Sequence, residues 1–320
     1  MNRPRLRLRY ILLGVVILYL VVSLAAAVFL AEVTLHPPRR YARNRETFQK
    51  EVESFHATLA DTSLDASDGT VLKAWFARPQ VANGESVILL HGVADSRESM
   101  TGFARLFLKH GYAVLLPDSR AHGASGGAYA SYGIRERYDV RDWARWLQQQ
   151  SPGCVYLFGE SMGAAIALQA SAVTPGLCAT VAESSFSTFR EVAYDRASQF
   201  SGRGLWFGKT LARPTLELAL LYARMHYGVN LLRADAKAAL AHSTAPVLLI
   251  HGTLDDNIPM RHSLALLETK GAHAVLWQVP GAYHTAASGS EPQEFERRVI
   301  AGFNAHHEVS KPAVPATIQP

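Results

Sequence analysis

At 320 residues, 48% of them hydrophobic, the chain has material for one large core, a size that α/β folds commonly fill as a single domain. Its net charge of +5 lies at one end: residues 1–50 hold nine Lys and Arg against Glu32 and Glu46, which is +7 and leaves −2 for the rest. A basic surface for nucleic acid is thereby excluded, and no nucleic-acid partner is expected.

The first ten residues are basic, with Arg3, Arg5, Arg7 and Arg9 leading into Ile11–Leu30, twenty residues without a charge. As a helix this run spans about 30 Å, the thickness of a bilayer core. It reads as a transmembrane anchor. A cleaved signal peptide ending at Ala25-Ala26-Ala27 is the alternative, but apolar residues continue through Val28, Phe29 and Leu30. Basic residues flank both ends. Those before the span abut it, which places the N-terminus in the cytoplasm and the remaining chain on the exported, extracytoplasmic side. Residues 31–54, polar and interrupted by Pro37-Pro38, read as a juxtamembrane connector.

From Ala57 the pattern is that of strands. Ala57–Asp65 and Val71–Ala77 alternate around Ser67-Asp68-Gly69, an antiparallel hairpin. Short apolar runs then alternate with helical segments. Val87–Leu90 precedes a helix near 97–110, and Tyr112–Leu116 precedes one over Asp139–Gln149. Cys154–Phe158 precedes an Ala-rich helix, Ala164–Ala172; Ala179–Ala182, Val247–Ile250 and Val275–Val279 follow, with a last helix over Glu294–His306. Such runs, apolar on both faces, predict a mostly parallel sheet of about eight strands covered on both sides by helices. The interval 186–243 interrupts the alternation with two apolar helical patterns, Leu205–Leu211 and Leu216–Tyr227, and reads as a helical cap inserted between two strands. The whole domain is expected over 55–307, followed by a disordered Pro-containing tail, 308–320.

Two cysteines are present. Cys154 lies seven residues before Ser161 and Cys178 seven before Ser185, so neighbouring parallel strands would set the thiols side by side. A disulfide would suit an oxidising compartment; two buried free thiols are the other reading.

Gly159-Glu160-Ser161-Met162-Gly163 stands between a strand and a helix, the sequence form of a nucleophile elbow. Acyl transfer by serine needs a base, a carboxylate to orient it, and N–H donors for the oxyanion. Each has a candidate at a strand end. Asp255, with Asp256 in reserve, follows Val247–Ile250 within His251-Gly252-Thr253-Leu254-Asp255-Asp256. His284 follows the last strand across Pro280-Gly281-Ala282-Tyr283. The N–H groups of Met162, opening the helix after Ser161, and of Val93, in His91-Gly92-Val93, are the oxyanion donors. His91 braces its loop. Asp118–Gly127 reads as scaffold in which Asp118 and Arg120 pair, with His122 outside the chemistry. No Cys/His spacing fits zinc, and neither a phosphate loop nor a dinucleotide fingerprint is present. No cofactor or metal is expected.

Five ordered segments carry a resemblance: His91-Gly92-Val93, Asp118-Ser119-Arg120-Ala121-His122-Gly123-x-Ser125, Gly159-x-Ser161-x-Gly163, His251-Gly252-Thr253-x-Asp255-x-x-Ile258-Pro259, and His284. Residues 57–305 resemble the α/β-hydrolase superfamily, in the branch of serine-aminopeptidase-like and dienelactone-hydrolase-like serine hydrolases that includes single-pass anchored members. The resemblance implies the α/β-hydrolase fold with Ser161 as nucleophile, Asp255 as acid and His284 as base. The chain departs from the family pattern at Ala121 and Ala282, where glycine is usual. The expectation is a membrane-anchored serine hydrolase of carboxylesterase or lipase type acting on a small acyl ester. The apolar cap and anchor point to a hydrophobic substrate, a lipid included. A peptidase, thioesterase or acyltransferase on the same triad is the alternative, and a binding protein with a vestigial site is the non-enzymatic one.

Overall fold

A computed structural model of the chain describes residues 3–269 and 273–309. In chain order, α1 covers Arg3–Leu35 and α2 Arg45–Ser54. Strands β1 (Ala57–Asp65), β2 (Val71–Pro79) and β3 (Ser86–Leu90) follow, then a 3₁₀ turn (Arg97–Met100) running into α3 (Thr101–Lys109). Next come β4 (Ala113–Pro117), α4 (Glu136–Gln150), β5 (Val155–Glu160), α5 (Met162–Ser171) and β6 (Leu177–Glu183). The inserted cap supplies α6 (Phe189–Ser201), α7 (Leu205–Lys209), α8 (Arg213–Tyr227) and α9 (Ala236–Leu240). Strand β7 (Val247–Gly252), α10 (Arg261–Leu267), β8 (Ala274–Val279), α11 (Ala287–Ser290) and α12 (Pro292–Val309) complete the chain.

The eight strands form one sheet in the order β1-β2-β4-β3-β5-β6-β7-β8. β2 runs antiparallel to both β1 and β4, and every later pairing is parallel. This is the anticipated α/β-hydrolase fold: an antiparallel N-terminal pair, a parallel remainder, and helices on both faces. The apolar runs are explained by their neighbours. Ile88, Leu90, Leu115 and Leu157 face a core built with α4 and α5, whereas Val87, Leu89, Val114 and Phe158 face one built with α3 and α12. Period-2 alternation thus feeds two apolar layers instead of one, which erases polar positions from these strands. Phe303 of α12 stacks on Tyr156 with ring centroids 4.3 Å apart and on Phe107 at 5.4 Å, pinning the last helix to the sheet.

Several elements differ from the expectation. The segment read as a connector contains α2, whose Phe48 and Val52 are buried in the second core. The helix α1 continues beyond the charge-free run to Leu35, and Leu35 itself is fully buried in the first core. In the cap, α6 has no apolar stripe to announce it, because its inward face includes Asp195 and Ser198. It is set instead by local signals: Thr188 caps its start by accepting from Glu191 N–H, and Gly202 closes it in a left-handed conformation. The tail expected from residue 308 lies outside the described residues from 310 onward; α12 runs to Val309.

Cys154 and Cys178 form a disulfide with Cα atoms 5.7 Å apart. The equal spacing to Ser161 and Ser185 does not describe how they meet. The strands pair Val155 with Leu177 but Tyr156 with Ala179, so Cys178 is the extra residue of a bulge. That bulge brings the two side chains together.

Candidate active site

The site is assembled at the C-terminal ends of β3, β5, β6, β7 and β8. Ser161 sits between β5 and α5 with φ 54° and ψ −115°, a conformation that L-residues adopt only when their surroundings impose it. Its N–H donates to Glu183 O at 2.9 Å, tying the turn to the end of β6. The flanking glycines are required sterically. A Cβ on Gly163 would stand 2.0 Å from Leu90 O, and one on Gly159 would stand 2.4 Å from Gly163 O. Backbone occupies both spaces, so strand and helix can pass this closely only without side chains.

His284 Nε2 lies 3.0 Å from Ser161 Oγ, and His284 Nδ1 lies 2.8 Å from Asp255 Oδ2. The three side chains come from the ends of β5, β7 and β8, and form one continuous hydrogen-bonded chain. Asp255 is held on its other oxygen by the N–H groups of Asn257 and Ile258, at 3.0 and 2.9 Å. Burial by itself would raise the Asp255 pKa; the His284 hydrogen bond and charge outweigh it, helped by Ile258 N–H and Ser184, and hold the carboxyl below its usual range. An ionised Asp255 accepts from Nδ1–H, which fixes His284 with its Nε2 lone pair toward Ser161. Asp256, the reserve, instead offers its backbone carbonyl to Gln199.

The loop after β3 passes directly over the serine. A Cβ on Gly92 would lie 3.7 Å from Ser161 Cβ, an ordinary contact, so the protein alone does not demand glycine there. Its absence of a side chain leaves open space above Ser161. Val93 next to it is solvent-exposed. Met162 begins α5, where the first N–H groups have no partner within the helix and the helix dipole is positive. The arrangement sets the Ser161 hydroxyl in hydrogen-bond contact with an oriented imidazole, at the N-terminus of α5.

The surrounding histidines are braces. His91 Nδ1–H donates to Gly92 O at 2.8 Å while Nε2 accepts from Ser119 N–H at 3.0 Å. Burial is the main cause that lowers its pKa, to about 4, so it is neutral while holding the two loops together. His251, to which the sequence alone assigns no role, donates from Nε2 to Ile258 O and accepts at Nδ1 from Ser263. It supports the turn that carries Asp255. His262 meets Asp195 at 2.8 Å and Ser187 Oγ at 2.9 Å, all three buried. Although this resembles a second triad in composition, Ser187 N–H also points at His262 Nδ1, and the group joins the cap's first helix to α10.

The scaffold loop after β4 corrects one expectation: Asp118 and Arg120 do not pair. Asp118 is held by Arg97 through Nε at 3.0 Å and Nη2 at 2.7 Å, with the Arg97 and Ala124 N–H groups completing its shell. Arg120 turns the other way, to Asp139 and Asp68. Neighbouring side chains of a loop in irregular conformation diverge, and each finds a partner from a different element. Ala121 adopts φ 60°, the left-handed region in which glycine carries no steric penalty, so this departure from the resembled pattern is paid locally. Ala282 does not have a positive φ, and alanine fits there without strain.

Comparison with known proteins bears on the family and the fold. Residues 87–298 match the model of the alpha/beta hydrolase family, and the chain belongs to that family. It is 28% identical to the uncharacterized protein YqkD of Bacillus subtilis over 223 residues, 68% of this chain and 70% of that one. The uncharacterized protein Rv2307c of Mycobacterium tuberculosis is 28% identical over 244 residues, 75% of each chain. Among solved structures, the Pyrococcus furiosus esterase Pf2001 superposes with a TM-score of 0.66 at 23% identity, covering 85% of this chain and 98% of that one. At that identity the likeness speaks for the fold.

Proposed function

We propose that this protein is a membrane-anchored serine hydrolase that cleaves acyl esters. The observation carrying the reading is the unbroken chain Ser161–His284–Asp255, with Ser161 raised on a strained elbow. Ser161 Oγ attacks the ester carbonyl carbon and its proton passes to His284 Nε2. Met162 and Val93 N–H stabilise the oxyanion. Collapse breaks the bond to the alcohol oxygen, which leaves with the proton from His284. Water then attacks the acyl-enzyme by the same route, giving the acid and restoring the hydroxyl. This sequence of steps calls for no metal or organic cofactor.

The helix over Leu8–Leu35, 28 residues whose most apolar 18-residue stretch has mean hydropathy 2.9, is long and apolar enough to cross a membrane. It supports a single-pass anchor. The Cys154–Cys178 bridge supports an oxidising compartment, and so an exported domain. The apolar anchor beside the cap favours a lipid-like acyl substrate.

The test is hydrolysis of a nitrophenyl butyrate ester, with the matching anilide and thioester in parallel. Wild type is expected to turn over the ester fastest, and Ser161→Ala to fall by about 10⁴-fold or more. Equal rates for wild type and Ser161→Ala on all three substrates contradict the reading; a preference for the anilide or thioester overturns its ester assignment.

A further inference from the structure

The anchor helix does not stand clear of the domain. Ser23, Ala27 and Ala31 of α1 are buried, spaced four residues apart on one face, and Ala27 and Ala31 pack with Leu218, Ala219 and Tyr222 of α8. Hydrogen bonds fix the register from end to end. Tyr19 Oη donates to Leu211 O at 2.9 Å, and the hydroxyls of Tyr222 and Tyr227 donate to the Glu32 carboxylate at 2.8 and 2.7 Å. The sequence separations, 192, 190 and 195, are nearly constant, so α8 runs parallel to α1.

This docking conflicts with the picture of a domain on a tether. Cap residues accompany α1 from Tyr19 to Glu32, about 20 Å of helix. The charge-free stretch left beyond them, Ile11–Leu18, spans about 12 Å, less than half of a bilayer's hydrocarbon core. If docked α1 crosses the membrane, hydrocarbon must also cover the part of the cap beside Tyr19. The surface there is suited to it. Leu211 there and Trp206 five residues before it are exposed, and farther along the docked pair, level with the Ala27–Glu32 stretch, Leu221 and Met225 of α8 and Phe29 and Val33 of α1 are exposed as well. Exposed Arg203, Arg213 and Arg224 are interspersed, with long stems able to carry their charges up to lipid phosphates.

We infer that the turn between α7 and α8 is immersed in the leaflet beside α1, so that the hydrolase sits in the membrane surface by two elements, one spanning and one inserted. The partner is the lipid bilayer itself, and continuity with the apolar span is what identifies it. The inference rests on the anchor reading above and deepens it: substrate approaches from the leaflet that the cap has entered.

Depth measurement in vesicles tests this. Among the described residues both native cysteines are bridged, so single cysteines can be placed at Leu18, Leu211, Leu221 and, as a water-facing control, at the highly exposed Val81. Each full-length variant is labelled with an environment-sensitive fluorophore in vesicles of phosphatidylcholine and phosphatidylglycerol. Quenching by acyl-chain nitroxides is compared with quenching by aqueous iodide. Probes at Leu211 and Leu221 are expected to be quenched several-fold more by the lipid nitroxides than the probe at Val81, with Leu211 deeper than Leu221. A lipid-buried Leu18 probe together with water-exposed Leu211 and Leu221 probes overturns the inference and leaves the anchor standing. Water exposure at all four positions overturns both. Fluorophosphonate labelling in the same vesicles reads the hydrolase assignment separately.

Discussion

Glu183 ends β6 directly beside Ser161: its carbonyl accepts the Ser161 N–H, and its carboxylate accepts from Ala287 N–H at 2.9 Å. Burial pushes its pKa up to about 7 from an ordinary 4.5, against the Ala287 hydrogen bond, and the Asp255 charge adds to the rise. Glu160, its cross-strand partner, is raised for the same first reason and by Glu183 itself. Between pH 4.5 and about 7 the folded protein keeps a proton that the unfolded chain has released, so this group's contribution to stability falls as pH rises through that window. Asp255 works in the opposite sense, its depressed pKa making a contribution that is lost on acidification. Glu183→Gln keeps the acceptor for Ala287 and removes the titration. Its urea midpoint relative to wild type is expected to rise between pH 5 and pH 8, a range over which Asp255 stays ionised in the folded and unfolded chain alike; a difference that does not change with pH contradicts this. At this scale Ser161, Asp255 and His284 were legible because each occupies a strand end that topology brings to one place. Glu183 was not, because a buried carboxyl at the end of an apolar run has no spacing rule to mark it, and the place of His251 in its motif carried no sign that it braces the Asp255 turn.

The elements show which local patterns survive packing. The elbow was readable because Gly159 and Gly163 have no room for a Cβ, so the motif is a steric necessity written into the chain. Strands were readable as apolar runs, but their exact pairing was not: the bulge at Cys178 shifts register between β5 and β6, and periodicity does not encode a single extra residue. Helices with mixed inward faces, such as α6, escape hydrophobic patterning because polar side chains there bond to other elements. The disulfide joins residues 24 apart across the two strands that frame Ser161. Closing a loop of that length stabilises a fold by about 3 to 4 kcal/mol through the entropy of the unfolded chain. A Cys154→Ser/Cys178→Ser double variant is expected to lose stability on that order in urea titrations, and wild type under reductant should match it. Identical midpoints for reduced and oxidised wild type contradict the expectation.

At the scale of the whole molecule, the charge imbalance located the N-terminal segment and length gave its reach, but composition could not tell that one side of α1 is committed to the cap. A uniformly apolar helix hides its small-residue stripe, Ser23, Ala27 and Ala31, among equally apolar neighbours, and only the α8 surface distinguishes them. The cap thereby links α1 to the domain bearing Ser161, while the sheet holds the three side chains in line. The account depends most on Ser161 being an activated nucleophile. Incubation of the full-length protein with a fluorophosphonate probe, followed by peptide mass spectrometry, tests it directly. A single stoichiometric adduct is expected on Ser161, abolished in Ser161→Ala and strongly slowed in His284→Ala. Equal labelling of wild type and Ser161→Ala, or no labelling of a folded wild type, contradicts it.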